Sequence, residues 1–162
     1  MSEWEAIVRL ALAGVLGGLI GFEREASNKD AGLRTHMLVA LGSAGFMVGS
    51  VLMVGLANPE GQVGRGDITR IGSTIVTGIG FLAGGIIFRS QSQIQGLTTA
   101  AGLWVTAAVG LLAASGFYIT AIGLTVLVLF VLRVVHWGEA QLEIPQNRVR
   151  RPRVDPTQDD DM

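Results

Sequence analysis

The sequence predicts an all-α membrane protein, a polytopic bundle of five transmembrane helices. Apolar residues make up 49% of the 162 residues, another 23 residues are glycine, and only 15% are charged. A soluble domain carries about 25% charged residues, so this chain offers too little polar surface for a water-soluble fold. Cysteine is absent, which excludes disulfide scaffolds, thiolate metal sites and cysteine nucleophiles. The net charge of −1 gives no indication of a nucleic-acid partner.

Long uncharged segments give the positions of the helices. Segment 90–132 has no charged residue and would be about 65 Å long at about 1.5 Å per helical residue. One bilayer core needs only about 20 residues, so this segment must fold back once, and Ala114-Ser115-Gly116 is the expected break. The first span carries Arg9, close enough to the helix start for its guanidinium to reach the headgroups. The predicted spans are 5–22, 37–56, 70–88, 97–114 and 117–135.

Basic residues predict the orientation, because they are retained in the cytoplasm. The 1–2 loop, the 3–4 loop and the C-terminus hold nine of them, whereas the opposite side holds only Arg9, Arg65 and Arg70. We therefore expect the N-terminus outside and the C-terminus in the cytoplasm. The chain divides into a membrane domain, 1–137, and a charged tail, 138–162, which has too little apolar material to be ordered. The nine cytoplasmic basic residues are Arg24, Lys29, Arg34, Arg89, Arg133, Arg148, Arg150, Arg151 and Arg153.

Glycines recur at helical spacing and predict close helix packing. Helices in a bilayer have no hydrophobic drive to pair, so small residues that let two backbones approach take its place. The spacing leaves open whether the partner helix belongs to the same chain or to a second copy, and a homodimer is one hypothesis. The packing candidates are Gly14, Gly17, Gly18, Gly21, Gly80 and Gly84.

A polar cluster at the predicted cytoplasmic ends of the spans is the first functional candidate, because ionisable groups are costly near the membrane. Glu23 falls in the last helical turn of span one, where the helix dipole disfavours a carboxylate. Arg24, Arg34 or a bound metal ion would compensate it. Thr98 and Thr99 precede span four and would cap its N-terminus. The cluster comprises Glu23, Arg24, Arg34, Thr35, His36, Thr98 and Thr99.

A second cluster lies on the predicted outer side at the start of span three. Asp67 and Arg70 are three residues apart and so share a helical face, which favours an ion pair with a capping acid. The alternative is an entry point for a divalent cation. Mg²⁺ prefers oxygen ligands and uses one or two carboxylates, so Glu23 and Asp67 are the candidate metal ligands. No nucleophile-and-base arrangement, phosphate-binding loop or metalloprotease motif is present, and we expect no enzymatic activity.

Five short motifs occur together, in order, between residues 17 and 104. They are Gly17-Gly18-Leu19-Ile20-Gly21-Phe22-Glu23-Arg24-Glu25, Ala31-Gly32-Leu33-Arg34-Thr35-His36, Asp67-x-x-Arg70-Ile71, Gly78-Ile79-Gly80-Phe81-Leu82, and Gly96-Leu97-Thr98-Thr99-Ala100-Ala101 followed by Leu103-Trp104. In order and spacing they resemble the N-terminal membrane domain of the MgtC/SapB family over about residues 7–130. Phe81-Leu82-Ala83-Gly84-Gly85 departs from the commoner Phe-Leu-Gly-Ala-Gly order but keeps the residues small.

The resemblance implies a multi-pass protein of the bacterial inner membrane that is linked to low Mg²⁺, acid tolerance or envelope stress. Mg²⁺ is the ion that this resemblance suggests first, and the polar residues of both clusters match the family's polar motifs. A short charged tail stands where longer members carry a soluble C-terminal domain. Two mechanisms stay open: regulation of a partner in the membrane, such as the ATP synthase, and transport of Mg²⁺ or another cation. The sequence favours regulation, because no span has an acidic residue at its middle.

Overall fold

The fold is a bundle of five helices with a short β-ribbon between the third and the fourth. A computed structural model describes residues 1–57, 65–90 and 93–141, and side chains for residues 1–54, 70–88 and 94–134. Within those residues the elements are α1 (Glu3–Ala26), α2 (Leu33–Ala57), α3 (Arg65–Gly84), β1 (Phe88–Ser90), β2 (Gln93–Gln95), α4 (Leu97–Ala114) and α5 (Tyr118–Gln141).

The predicted all-α bundle of five helices is confirmed, and the boundaries show where local sequence decides a helix end. The predicted fourth span matches α4, and the fold-back falls at the expected break, where Gly116 adopts a φ of +86°. The third span was expected to continue to residue 88, but α3 ends at Gly84. The adjacent Gly84-Gly85 pair explains this end, because glycine weakens a helix and favours turns. α5 continues to Gln141, past the predicted tail boundary at 138, and residues 142–162 lie outside the described part of the chain.

The β-ribbon was not predicted from the sequence. β1 and β2 pair antiparallel, with Phe88 opposite Gln95 and Ser90 opposite Gln93. Gly96 then turns the chain into α4 with a φ of +85°, and a methyl group on its Cα would overlap the carbonyl oxygen of Ile86. Only glycine meets both demands, so this residue fixes how the ribbon joins α4.

α4 lies at the centre of the bundle and contacts each of the other four helices. The helices alternate in direction, so the end of α1, the start of α2 and the start of α4 share one end of the molecule. The start of α1 and the α4–α5 turn lie at the other end. The buried core lies between α1, α2, α4 and α5 and includes Ile20, Ala44, Val109, Ala113 and Ala121.

Three of the described helical segments are long and apolar enough to cross a membrane by length and composition. They are Glu3–Ala26, Leu33–Val54 and Leu97–Ala114, and the apolar segment Tyr118–Val134 is slightly shorter. Large apolar side chains such as Phe22, Phe46, Phe81 and Ile119 are exposed on the outside of the bundle. Such an apolar surface is stable in contact with lipid chains, whereas its exposure to water would be unfavourable.

The glycine face of α1 packs against α2 of the same chain. A methyl group on Gly17 would lie 2.6 Å from the Ala40 Cβ, and one on Gly21 would lie 2.7 Å from the Leu33 Cα. Gly14 and Gly18 likewise meet side chains of α2. Gly80 and Gly84 of α3 differ, because no atom of the described residues lies within 4 Å of a methyl group placed on either. The question that the spacing left open is thus answered for α1, whose partner is in the same chain.

At the opposite end of the bundle, Arg9 joins three helices. Its guanidinium donates a 2.6 Å hydrogen bond to the carbonyl oxygen of Ala114, pairs with Glu5 and lies 5.8 Å from the ring centre of Tyr118. The guanidinium thus neutralises the C-terminal end of α4, where carbonyl groups lack helical partners.

Candidate functional site: a polar cavity at one end of the bundle

A cavity of about 470 Å³ opens where the end of α1, the start of α4 and the last turns of α5 meet. Its wall combines charged and hydroxyl-bearing side chains with an apolar rim. At the end of a membrane bundle, polar groups can bind a ligand that does not have to enter the bilayer core. The lining residues are Glu23, Arg24, Ser27, Lys29, Asp30, Ile94, Gly96, Leu97, Thr98, Thr99, Val131 and Leu132.

Arg24 is the buried charge of this site. Only 4% of its surface is exposed, and its Nη2 donates a 3.4 Å hydrogen bond to the Thr99 Oγ1, which is also buried. The Nε of Arg24 is buried and has no hydrogen-bond partner among the described residues. A buried guanidinium with an unused donor is costly unless an anion or another acceptor approaches it.

Glu23 lies beside Arg24 in the chain but does not pair with it. Its Oε1 accepts a 2.9 Å hydrogen bond from the Ser27 hydroxyl, one helical turn further on. Its Oε2 is buried and has no partner in the described part of the chain. The expected compensation by Arg24 or Arg34 is therefore wrong within those residues, because successive helical residues point in different directions and Arg24 turns toward α4.

His36 is fully buried on the first turns of α2, at 0% exposure. Its Nδ1 lies 3.0 Å from the Gly32 carbonyl oxygen, which fixes the ring against the turn before the helix. Its Nε2 has no partner among the described residues and faces Gly102 of α4, where an added methyl group would lie 3.6 Å away. His36 is thus a packed core residue at the α2–α4 contact and does not line the cavity.

Glu25 has a role that sequence reasoning missed. Its Oε2 accepts a 2.8 Å hydrogen bond from the backbone N–H of Leu33, the first residue of α2. A carboxylate at a helix N-terminus accepts a hydrogen bond from an otherwise unpaired N–H group and interacts favourably with the helix dipole. The contact crosses the whole α1–α2 loop, so no local capping motif could reveal it. Ser27, Lys29 and Asp30 of the same loop also line the cavity without having been singled out.

The remaining members of the predicted cluster are divided by the fold. Thr98 lines the cavity and is exposed, but neither it nor Thr99 caps α4, because the capping position is occupied by Gly96 and carries no side-chain hydrogen bond. Arg34 is exposed. Thr35 points to a second, mostly apolar cavity of about 730 Å³ between α2 and α3.

Only part of the predicted outer cluster lies within the described residues. Arg70 is exposed near the start of α3, whereas the side chain of Asp67 lies outside the described residues, so their ion pair stays a prediction. In the part of the chain that the structure describes, no group of three or more His, Cys, Asp or Glu residues is arranged to hold a metal ion. Glu23 is the one candidate metal ligand whose side chain is described.

Long apolar helices around a small-residue core, with a polar cavity at one end, define this chain as a helical membrane protein. The chain belongs to the MgtC family, whose model matches residues 10–141.

Three relatives illustrate the similarity. The chain is 47% identical over 132 residues to "Putative magnesium transporter YhiD" of Escherichia coli K12, covering 82% of this chain and 61% of the relative. It is 48% identical to "Protein MgtC" of Brucella abortus strain 2308, covering 75% of this chain and 48% of that protein. It is 40% identical to "Protein MgtC" of Salmonella typhimurium, covering 80% of this chain and 52% of that protein. The chain thus spans about half to three-fifths of the length of these relatives, and no solved structure matches it.

Proposed function

We propose that this chain is a non-enzymatic, multi-pass protein of the bacterial inner membrane that serves Mg²⁺ homeostasis by acting on other membrane machinery. Family membership and a relative named as a magnesium transporter support the link to Mg²⁺. The excess of basic residues on one side supports a cytoplasmic C-terminus and an external N-terminus. The choice of regulation over transport rests on how charge is distributed inside the bundle.

The observation that carries this choice is the location of the carboxylates. Every described carboxylate within a helix belongs to the first or last turn of α1, namely Glu3, Glu5, Glu23 and Glu25. The charged side chain that is buried in the described bundle is instead the guanidinium of Arg24. Among the described side chains, a divalent cation crossing the bundle would find no opposite charge at mid-membrane, where desolvation is most costly.

Three buried hydroxyl groups in the spans also have partners already. Thr106 and Thr125 donate to carbonyl oxygens one turn back in their own helices, at 2.8 and 2.9 Å. Ser43 donates across the α2–α4 contact to the Ala107 carbonyl at 2.7 Å. These bonds satisfy the polar groups without leaving an acceptor-lined path for an ion.

The proposed function is tested in a bacterial strain that lacks its own family member and fails to grow at low Mg²⁺. Expression of the wild-type chain is expected to restore growth, while the purified protein in proteoliposomes gives no Mg²⁺ flux above empty vesicles. Glu23→Gln should lose growth support at unchanged membrane levels if the cavity carries the function. Restored growth together with saturable flux would replace regulation by transport.

Transport of Mg²⁺ or another cation is the second candidate, and one observation favours it. The Glu23 Oε2 is buried beside the cavity and has no partner among the described residues, so a cation could be its counterion. In that case flux would be saturable and would fall in Glu23→Gln and in Asp67→Asn. Glu25→Gln is the matched control, because Glu25 is engaged in capping α2 and is exposed.

We further propose that the chain pairs with a second copy through α3. The α1 glycines already pack against α2, whereas no atom of the described residues lies within 4 Å of a methyl group placed on Gly80 or Gly84. Ser73 and Thr77 continue the same face at helical spacing and are exposed, which gives a stripe of four small residues. Such a stripe lets two membrane helices approach closely.

A further inference from the structure

We propose that the polar cavity is a binding site for a phosphate group, supplied by a phospholipid headgroup or by free phosphate. The inference concerns the ligand of the cavity and goes beyond the proposed role in Mg²⁺ homeostasis. It rests on two independent features that meet in one cavity: a helix N-terminus without a side-chain cap, and a buried arginine with a donor that no described residue uses.

The first feature is the start of α4. Gly96 occupies the capping position, has no side chain to offer and cannot be replaced by a residue with one, because of its φ of +85° and the nearby Ile86 carbonyl. The first backbone N–H with a helical acceptor is that of Ala100, which donates to the Gly96 carbonyl at 2.8 Å. The N–H groups of Leu97, Thr98 and Thr99 precede it, at the positive end of the helix dipole. Free amides in this position bind phosphate oxygens.

The second feature is Arg24. The residue is only 4% exposed and lines the same cavity as Thr98 and Thr99. One of its donors is bonded to Thr99, and its Nε has no partner among the described residues. A guanidinium that has already lost its hydration gains most from an anion with several acceptor oxygens. Phosphate supplies such oxygens to both Arg24 and the amides of α4.

The other charges of the cavity narrow the ligand class. Lys29 adds a second cation, while Glu23 and Asp30 add two carboxylates. A bare polyanion would be repelled by these carboxylates, whereas a phosphate that carries a cationic group beside it satisfies both signs. The apolar residues Ile94, Leu97, Val131 and Leu132 complete the wall. Charges of both signs beside an apolar rim fit a phospholipid with a zwitterionic headgroup such as phosphoethanolamine, whose acyl chains would lie against the apolar residues.

Binding to delipidated protein in a non-ionic detergent tests the inference. The probes are a phosphatidylethanolamine, a diacylglycerol with the same acyl chains, and inorganic phosphate, measured by native mass spectrometry and by the shift in melting temperature. The phosphatidylethanolamine is expected to bind wild-type protein at least about tenfold more tightly than the diacylglycerol, because only the former offers a charged acceptor. Inorganic phosphate that binds alone and competes with the lipid would identify free phosphate as the source. Binding of the lipid without such competition would identify the headgroup.

Thr98→Asp is the decisive variant. A carboxylate in the first turn of α4 stabilises the helix, but it occupies the place proposed for the phosphate group. The variant should fold like wild type and bind the phosphate probe about tenfold or more weakly. Thr120→Asp makes the same change in the exposed first turn of α5, away from the cavity, and should bind like wild type. Lys29→Gln, an exposed position, should weaken binding a few-fold.

Equal binding by wild type and Thr98→Asp would overturn the inference, as would equal losses in Thr98→Asp and Thr120→Asp. The absence of binding by either phosphate probe to folded wild-type protein would also overturn it. None of these outcomes touches growth support at low Mg²⁺ or the flux measurement, so the inference and the proposed function fail or succeed separately.

Discussion

The Arg24 Nη2 and the Thr99 Oγ1, 75 residues apart in the chain, are joined by a 3.4 Å hydrogen bond in the bundle interior. This contact ties the end of α1 to the start of α4 at the polar cavity. It also separates two adjacent threonines, because Thr99 is 5% exposed whereas its neighbour Thr98 faces outward. The pair therefore allows a matched test of the buried contact.

Thr99→Val is expected to lower the free energy of unfolding by about 1–2 kcal/mol, because it leaves a buried guanidinium donor without its acceptor. Thr98→Val has the same chemistry at an exposed position and should change it by less than about 0.5 kcal/mol. Denaturant unfolding in detergent, followed by circular dichroism, measures both. Equal effects of the two substitutions would contradict a stabilising role for the Arg24–Thr99 contact.

Gly17→Ala is expected to destabilise the bundle by about 1–3 kcal/mol, because the added methyl group has to push α1 away from α2. It would lie 2.6 Å from the Ala40 Cβ and 2.8 Å from the His36 carbonyl oxygen. Gly45→Ala is the control, since no described atom lies within 4 Å of the new methyl group and alanine favours a helix. Melting temperatures in detergent should fall for Gly17→Ala and stay level or rise for Gly45→Ala. A fall in both would argue against close α1–α2 packing as the cause.

Gly80→Leu is expected to shift the detergent-solubilised protein from a dimer to a monomer, because a leucine would keep two α3 stripes apart. Gly123→Leu is the control, because it adds the same bulk to α5, where likewise no atom of the described residues lies within 4 Å of an added methyl group. Size-exclusion chromatography with light scattering gives the mass of each species. A dimer that survives Gly80→Leu, or a wild-type monomer, would remove α3 as a pairing surface.

The predicted orientation is testable without preparing a cysteine-free background, because the chain has no cysteine. Ala26→Cys and Phe117→Cys introduce single exposed thiols at opposite ends of the bundle. A membrane-impermeant maleimide added to intact spheroplasts should label Phe117→Cys and leave Ala26→Cys unlabelled until the cells are lysed. The reverse pattern would place the cavity outside the cell and the N-terminus inside.

Helix positions were predictable because they depend on local properties of the chain. The fourth span is recognised from end to end, and the break at Ala114-Ser115-Gly116 follows from the length of one uncharged segment. Four polar residues of the cavity, Glu23, Arg24, Thr98 and Thr99, were anticipated for the same reason. Charged residues are excluded from the bilayer core, so those near one end of each span collect at the same end of the bundle.

Which helix packs against which was not predictable, because it depends on how the helices are rotated against each other. The pattern Gly14-x-x-Gly17-Gly18-x-x-Gly21 predicts a close approach, but not that α2 of the same chain supplies it. The β-ribbon after α3 was missed as well. Its strands are only three residues long and depend on pairing with each other, which no periodicity in the sequence reveals.

By itself, then, the sequence determined that this is a five-helix membrane bundle with its ionisable groups toward the ends, since hydropathy and charge act residue by residue. Only the tertiary structure decided that Arg24 faces Thr99 instead of Glu23, and that Glu25 reaches Leu33 across the loop. These contacts arise when three helix ends converge, and a side chain then selects among partners that lie far apart along the chain.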